Sequence, residues 1–120
     1  MPLEERDAAY LWEILQACDA IDRFVFGKSI DQYMKDELLQ AGVERKIEIV
    51  GEASRKISDT FKKDNPGIPW KSIIAQRNVM VHDYGQIKHD RVWGLTQKHI
   101  PELKAQLQPL LPPLPPQLDL

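Results

Sequence analysis

One cysteine, Cys18, stands in the whole chain. It sits within an apolar helical pattern with no histidine in sequence reach. That predicts a buried thiol in a reducing compartment, not a nucleophile. No apolar run approaches the length of a membrane span, and the acidic start Leu3-Glu4-Glu5-Arg6-Asp7 is unlike a signal peptide. The expectation is a cytoplasmic protein without a membrane partner. Histidine is scarce as well: His82, His89 and His99 are the three. His89 and His99 stand apart from other ligand-type residues and read as satisfied or solvated. His82 and Asp83 are adjacent and so point apart, which leaves no zinc spacing. Gly27-Lys28-Ser29 resembles the end of a P-loop, but the preceding glycine and strand are missing. Strand alternation of convincing length, internal repeats and sustained heptads are also absent.

What is present fits one domain with a single core: 120 residues, of which 42% are hydrophobic. The net charge of −2 does not mark a nucleic-acid binder, but its distribution is uneven. Residues 1–54 hold 6 Lys/Arg against 12 Asp/Glu, whereas residues 55–99 hold 9 against 4. Two readings stay open for the basic part: solvated helix faces, or a local positive field for phosphates.

The helices follow from the apolar period. From Glu5 to about Phe24, Leu11, Ile14, Leu15, Cys18 and Ile21 recur at helical spacing, with Val25 just beyond, and Gly27 ends the run. Ser29 is a plausible N-cap for a second helix. That helix is expected to be long, from about Ile30 to Phe61, with Tyr33, Met34, Leu38, Ala41, Ile47, Val50, Ala53, Ser54 and Ile57 inward. Gly42 and Gly51 either break it or let another helix pack closely; one helix, bent near Gly42, is the preferred reading. A loop over 63–69 leads to Pro69, suited to the first turn of a third, short helix through Trp70, Ile73, Ile74, Arg77 and Met80. A fourth helix, capped by Asp90, runs through Val92 to Leu107, and Pro101 should kink or restart it. From Pro109 the proline-rich tail should be extended. The fold class is all-α: a four-to-five-helix up-and-down bundle over residues 1–108, with an extended tail over 109–120.

The chemistry concentrates in Arg77-Asn78-Val79-Met80-Val81-His82-Asp83-Tyr84-Gly85. Residues five apart on a helix diverge by roughly 140°. Arg77 therefore belongs on the last turn, His82 and Tyr84 at the fraying end, and a loop after Gly85. One reading is structural: a helix-terminal salt bridge and a histidine on the helix dipole. The other is phosphodiester cleavage in RNA. Arginine supplies a fixed fork of donors for the phosphate, and histidine moves protons near neutral pH. The RNA 2′-hydroxyl is an internal nucleophile, so neither metal nor other cofactor is required.

With these residues in hand, the chain resembles the HEPN superfamily and, within it, the HepT-like toxins. The superfamily pattern is an arginine followed a few residues on by a histidine, and Arg77 and His82 fit it. The HepT branch adds a tyrosine two positions later, matched by Tyr84. Flanking stretches also look alike: Val43 to Ala53, Ile68-Pro69-Trp70, and Ile100-Pro101-Glu102-Leu103. The similarity spans about residues 5–107 and omits the proline-rich tail. It implies a helical bundle, a homodimer with facing motifs, and a metal-independent endoribonuclease. It also implies a cognate MntA-like nucleotidyltransferase antitoxin that adds AMP to Tyr84. On this resemblance Arg77 holds the scissile phosphate and His82 is general acid or base. Asn78 orients the phosphate or the histidine, or is a packing amide. Asp83 is a supporting residue, more a local cap than a catalyst. Tyr84 without modification would pack over the helix end or stack a base. Trp70, Val79 and Met80 are candidates for the dimer interface or for ordinary core. The alternative function is a non-catalytic module that binds nucleotides or the transferase.

Overall fold

The computed structural model describes residues 4–82 and 88–111; the side chains of 77–82 are not described. Every regular element among the described residues is helical. The all-α expectation holds.

Helix α1 spans Glu5–Val25. Its inward positions Leu11, Ile14, Cys18 and Ile21 are fully buried and recur at helical spacing. Burying each large aliphatic side chain contributes on the order of 1.5–3 kcal/mol. Burial, with Asp22 and Asp19 nearby, pushes the Cys18 thiol up to about 12, so it stays protonated and inert at neutral pH. Gly27, at φ 71°, closes α1, and the Lys28 amide returns to the Val25 carbonyl at 2.9 Å.

The expected long second helix is three separate helices. Helix α2 is the single turn Ile30–Met34, started by a capping box between Ser29 and Gln32. Helix α3 is Glu37–Lys56 and α4 is Asp59–Asp64. The breaks fall at capping side chains, not at the glycines. The Asp36 carboxylate accepts from the Leu39 amide at 3.0 Å, and the Ser58 hydroxyl accepts from the Phe61 amide at 3.2 Å. Gly42 lies within an unbroken α3, where a Cβ would meet the Phe24 ring at 3.4 Å. The close-packing reading of that glycine is the correct one. Because α2 and α3 are separate helices, three inward assignments are corrected: Met34 on α2 and Leu38 and Ala41 on α3 are exposed, while Tyr33 is fully buried.

Helix α5 is Trp70–His82, α6 is His89–Gly94 and α7 is Ile100–Leu107. Pro101 has no N–H to continue an α-ladder, and the chain answers with a π-turn over Leu95–His99 before α7 restarts. Asp90 is not the cap expected: α6 starts one residue before it, at His89, with Lys88 in the N-cap position and no side-chain cap. Pro109 lies in a 3-10 turn, Gln108–Leu110, in place of the extended chain expected there. The tail from 112 on lies outside the described residues.

The bundle is assembled by α1 on α3, α3 on α5, and α7 on α1. Two polar ties fix its ends. Buried Asp7 accepts from the Ser58 amide at 2.9 Å and the Ser58 hydroxyl at 2.6 Å, joining α1 to the cap of α4. Lys104 on α7 reaches Asp19 at 2.7 Å and Asp22 at 3.1 Å on α1.

Candidate functional site

Helix α5 delivers the Arg77 stretch, and its start is firmly anchored. The Trp70 indole N–H donates to the Asn65 carbonyl at 3.1 Å, and the Phe61 ring meets the Trp70 ring edge-on at 6.1 Å. Trp70 and Ile73 are buried in the core. Trp70 is therefore core, not dimer interface. The first turns of α5 lie against α3 in antiparallel fashion. Ile47 and Val50 of α3 share a cleft of about 200 Å³ with Ile73 and Gln76, and Ile100 and Leu103 of α7 close it.

From that register the place of the motif follows. Position 77 comes seven residues after Trp70 and four after Ile73, so helical spacing puts its backbone on the same side of α5 as those two buried residues. The backbone stays helical through His82, so positions 77 and 82 differ by roughly 140° about the axis. Arg77, Asn78 and His82 are thus placed on the last turns of α5, as expected. Their side chains, and all of Asp83, Tyr84 and Gly85, lie outside the described residues.

Toward its N-terminus α3 contains Val43 and Glu44. A polar cluster stands there. Glu44 Oε2 and His89 Nδ1 are 3.1 Å apart, although the pair lacks the alignment of a hydrogen bond. His89, the first residue of α6, also meets the edge of the Tyr33 ring at 6.5 Å, and Tyr33 lies 5.3 Å from the Trp93 ring. The Tyr33 hydroxyl is buried with no hydrogen-bond partner among the described residues. Burial pushes the Glu44 carboxyl above the usual carboxylate range; His89 pulls it down and Glu48 adds to the rise. Burial likewise raises the Tyr33 phenol, and Glu44 adds to that.

Sequence reasoning did not find this cluster. Tyr33, Glu44 and His89 are far apart in the chain, on three helices, and no spacing rule connects them. His99, by contrast, is exposed beside Glu102 at 3.9 Å, in keeping with a solvated histidine. Among the described residues no helix is long and apolar enough to cross a membrane.

A helical bundle whose short α5 carries an Arg–His motif at its end has the architecture of a HEPN domain. The sequence profile of the HepT-like ribonucleases matches residues 14–110, and the chain belongs to that family. A candidate RNase of Methanocaldococcus jannaschii is 28% identical over 107 residues, covering 88% of this chain and 98% of that protein. A candidate RNase of Caldanaerobacter subterraneus is 33% identical over 102 residues, covering 85% and 91%. The probable ribonuclease HepT of Thermococcus cleftensis is 32% identical over 101 residues, covering 84% and 92%. No solved structure gives a significant match.

Proposed function

We propose that this chain is a metal-independent endoribonuclease, the toxin of a toxin–antitoxin pair, and that Arg77 and His82 carry the chemistry. Membership of the HepT-like family, over a span that includes an unbroken helical backbone through both positions, carries the reading. The reaction is an internal transesterification. The 2′-hydroxyl loses its proton and its oxygen attacks the neighbouring phosphorus. The P–O5′ bond breaks, and the 5′ oxygen leaves with a proton. The products are a 2′,3′-cyclic phosphate and a 5′-hydroxyl. Arg77 neutralises the pentacoordinate phosphate with its planar fork, and His82 moves a proton as general base or general acid. Asn78 and Asp83 support them, Asn78 by orienting the phosphate or the histidine and Asp83 as a local cap.

Two-fold symmetry fits this chemistry. Positions 77 and 82 lie roughly 140° apart about the axis of one α5, so two copies of each, related by a two-fold axis, offer more pairings than one chain does. A homodimer is the expected state, and light scattering at micromolar concentration checks it.

Control falls to Tyr84 and a cognate nucleotidyltransferase. Each AMP transferred from ATP to the phenol adds a phosphodiester charge and a bulky base beside Arg77 and His82. It competes for Arg77 as the substrate phosphate does. Tyr84→Phe should stay toxic yet escape neutralisation, and the co-expressed wild type should gain whole AMP masses. An unmodified mass alongside full neutralisation would mean the antitoxin acts by binding alone. The direct test of the function is induced expression of wild type and His82→Ala, with growth and RNA integrity followed. Growth arrest and RNA breakdown should occur with wild type only. Intact RNA under wild-type induction would favour the non-catalytic binding module.

A further inference from the structure

The cleft of about 200 Å³ between α3, α5 and α7 has no part in the chemistry of Arg77 and His82. Its floor is aliphatic: Ile47 of α3, Ile73 of α5 and Ile100 of α7 are all buried. Its mouth is polar. Ser72 and Gln76, one turn apart on α5, stand there with Gln106 of α7. The Gln106 amide N–H donates to the Gly67 carbonyl at 3.0 Å, which leaves its carbonyl oxygen as an acceptor. The side chains of Ser72 and Gln76 have no partner among the described residues.

Three properties select the occupant. The first is size. Pockets that hold a whole small ligand run to about 300–1,000 Å³, so this cleft takes a single ring system. The second is charge. Among the described residues that line the cleft there is no Lys or Arg, and Glu102 stands at the rim with His99 at 3.9 Å. The rim thus carries no excess positive charge, which disfavours a phosphate and admits a neutral ring. The third is place. Position 77 comes four residues after Ile73, so its backbone lies roughly 6 Å further along α5, on the same side. A ring in the cleft therefore lies one helical turn from the point of α5 at which Arg77 stands.

We propose that this cleft is a base-binding subsite of the ribonuclease, taking one nucleobase of the RNA beside the phosphate held by Arg77. This rests on the assignment of Arg77 and His82 above. The aliphatic floor covers one face of the ring. The Gln76 amide, with donor and acceptor side by side, and the Ser72 hydroxyl meet its polar edge. A base seated there is out of its stack, so the substrate is single-stranded at that nucleotide.

Two measurements on the full chain test it. In the first, methyl resonances are followed as 2′-O-methyl ribotetranucleotides are added, one for each base, with a base-free sugar-phosphate tetramer as control. The methyls of Ile47, Ile73 and Ile100 should shift with at least one of the four and not with the control. Ser72→Trp, which plugs the mouth from an exposed position, should abolish those shifts. In the second, wild type, Gln76→Leu and Ser72→Trp cut RNAs varied base by base around the cleaved bond. Wild type should prefer one base over another by about tenfold at a single position, and Gln76→Leu should shrink that preference below about twofold. Removing the base at that position should slow wild type by about tenfold or more and slow Ser72→Trp no further. Silent methyls with all four tetramers would overturn the proposal, as would losses from base removal and Ser72→Trp that multiply. So would a Ser72→Trp protein that cuts RNA like wild type yet escapes its antitoxin, since the cleft would then dock a protein. If His82→Ala cuts as fast as wild type, the catalytic assignment fails by itself, and the methyl shifts still decide whether the cleft takes a base.

Discussion

Along the seam of α1 and α3 the inward positions are aliphatic or small: Leu11, Ile14, Cys18, Ile21, Val43, Ile47, Val50 and Ala53. At the end of the bundle where α5 stops and α6 begins, they are Tyr33, Glu44, His89 and Trp93. The first region is held by area removed from water and needs no particular partner for any side chain. The second holds an ionisable pair 3.1 Å apart and a buried phenol without a hydrogen-bond partner among the described residues. Stability is concentrated in the seam, while the polar end holds a carboxylate–histidine contact in which burial disfavours the ionised Glu44. Substitutions should separate the two regions accordingly.

The seam should respond most strongly in stability. Leu11→Ala removes a fully buried side chain from the centre of the core and should lower unfolding free energy by about 2–5 kcal/mol. Urea titration reads this as a shift in midpoint at unchanged slope. A smaller effect is expected at the polar tie. Asp7→Ala leaves the Ser58 amide and hydroxyl without their acceptor and should cost about 1–3 kcal/mol. The same titration checks it, and a cost within about 0.5 kcal/mol of zero would mean the tie is idle.

The smallest effect, and the one opposite in sign, belongs to the polar end. Folding raises the Glu44 carboxyl above its ordinary value of 4.5. A raised acid stabilises the fold below its unfolded value, and that contribution is lost as pH climbs through the folded one. Glu44→Gln should therefore be at least as stable as wild type at pH 7, with the advantage fading as pH falls through the raised carboxyl value and gone below about 4.5. Thermal unfolding across that range checks the sign. A variant that is least stable, relative to wild type, at neutral pH would erase the contrast between the regions.

The seam was legible in the sequence because a period of 3.6 residues is a local signal. Leu11 to Val25 announced α1, and Ile47 to Ile57 announced the face of α3. Helix ends were harder. Asp36 and Ser58 are ordinary polar residues until their side chains accept an amide three positions on, and the apolar period ran straight across both breaks. Pro101 was read as a kink or a restart, and a π-turn runs into α7 just before it, since a missing N–H has its effect wherever it stands in a helix. Of the candidate site, the motif's place on the last turns of α5 was legible from Pro69 and the apolar spacing. The Glu44–His89–Tyr33 cluster was not, because tertiary packing alone brings those three helices together.

The central claim is that Arg77 and His82 cut RNA without a metal. Its most direct measurement is cleavage of a defined RNA by purified protein in EDTA, wild type against His82→Ala and Arg77→Lys, with product ends identified by mass spectrometry. Wild type should give 2′,3′-cyclic phosphate and 5′-hydroxyl ends, and each variant should lose on the order of 100- to 1000-fold in rate. Equal rates for wild type and His82→Ala, or products ending in a 5′-phosphate, would contradict the account.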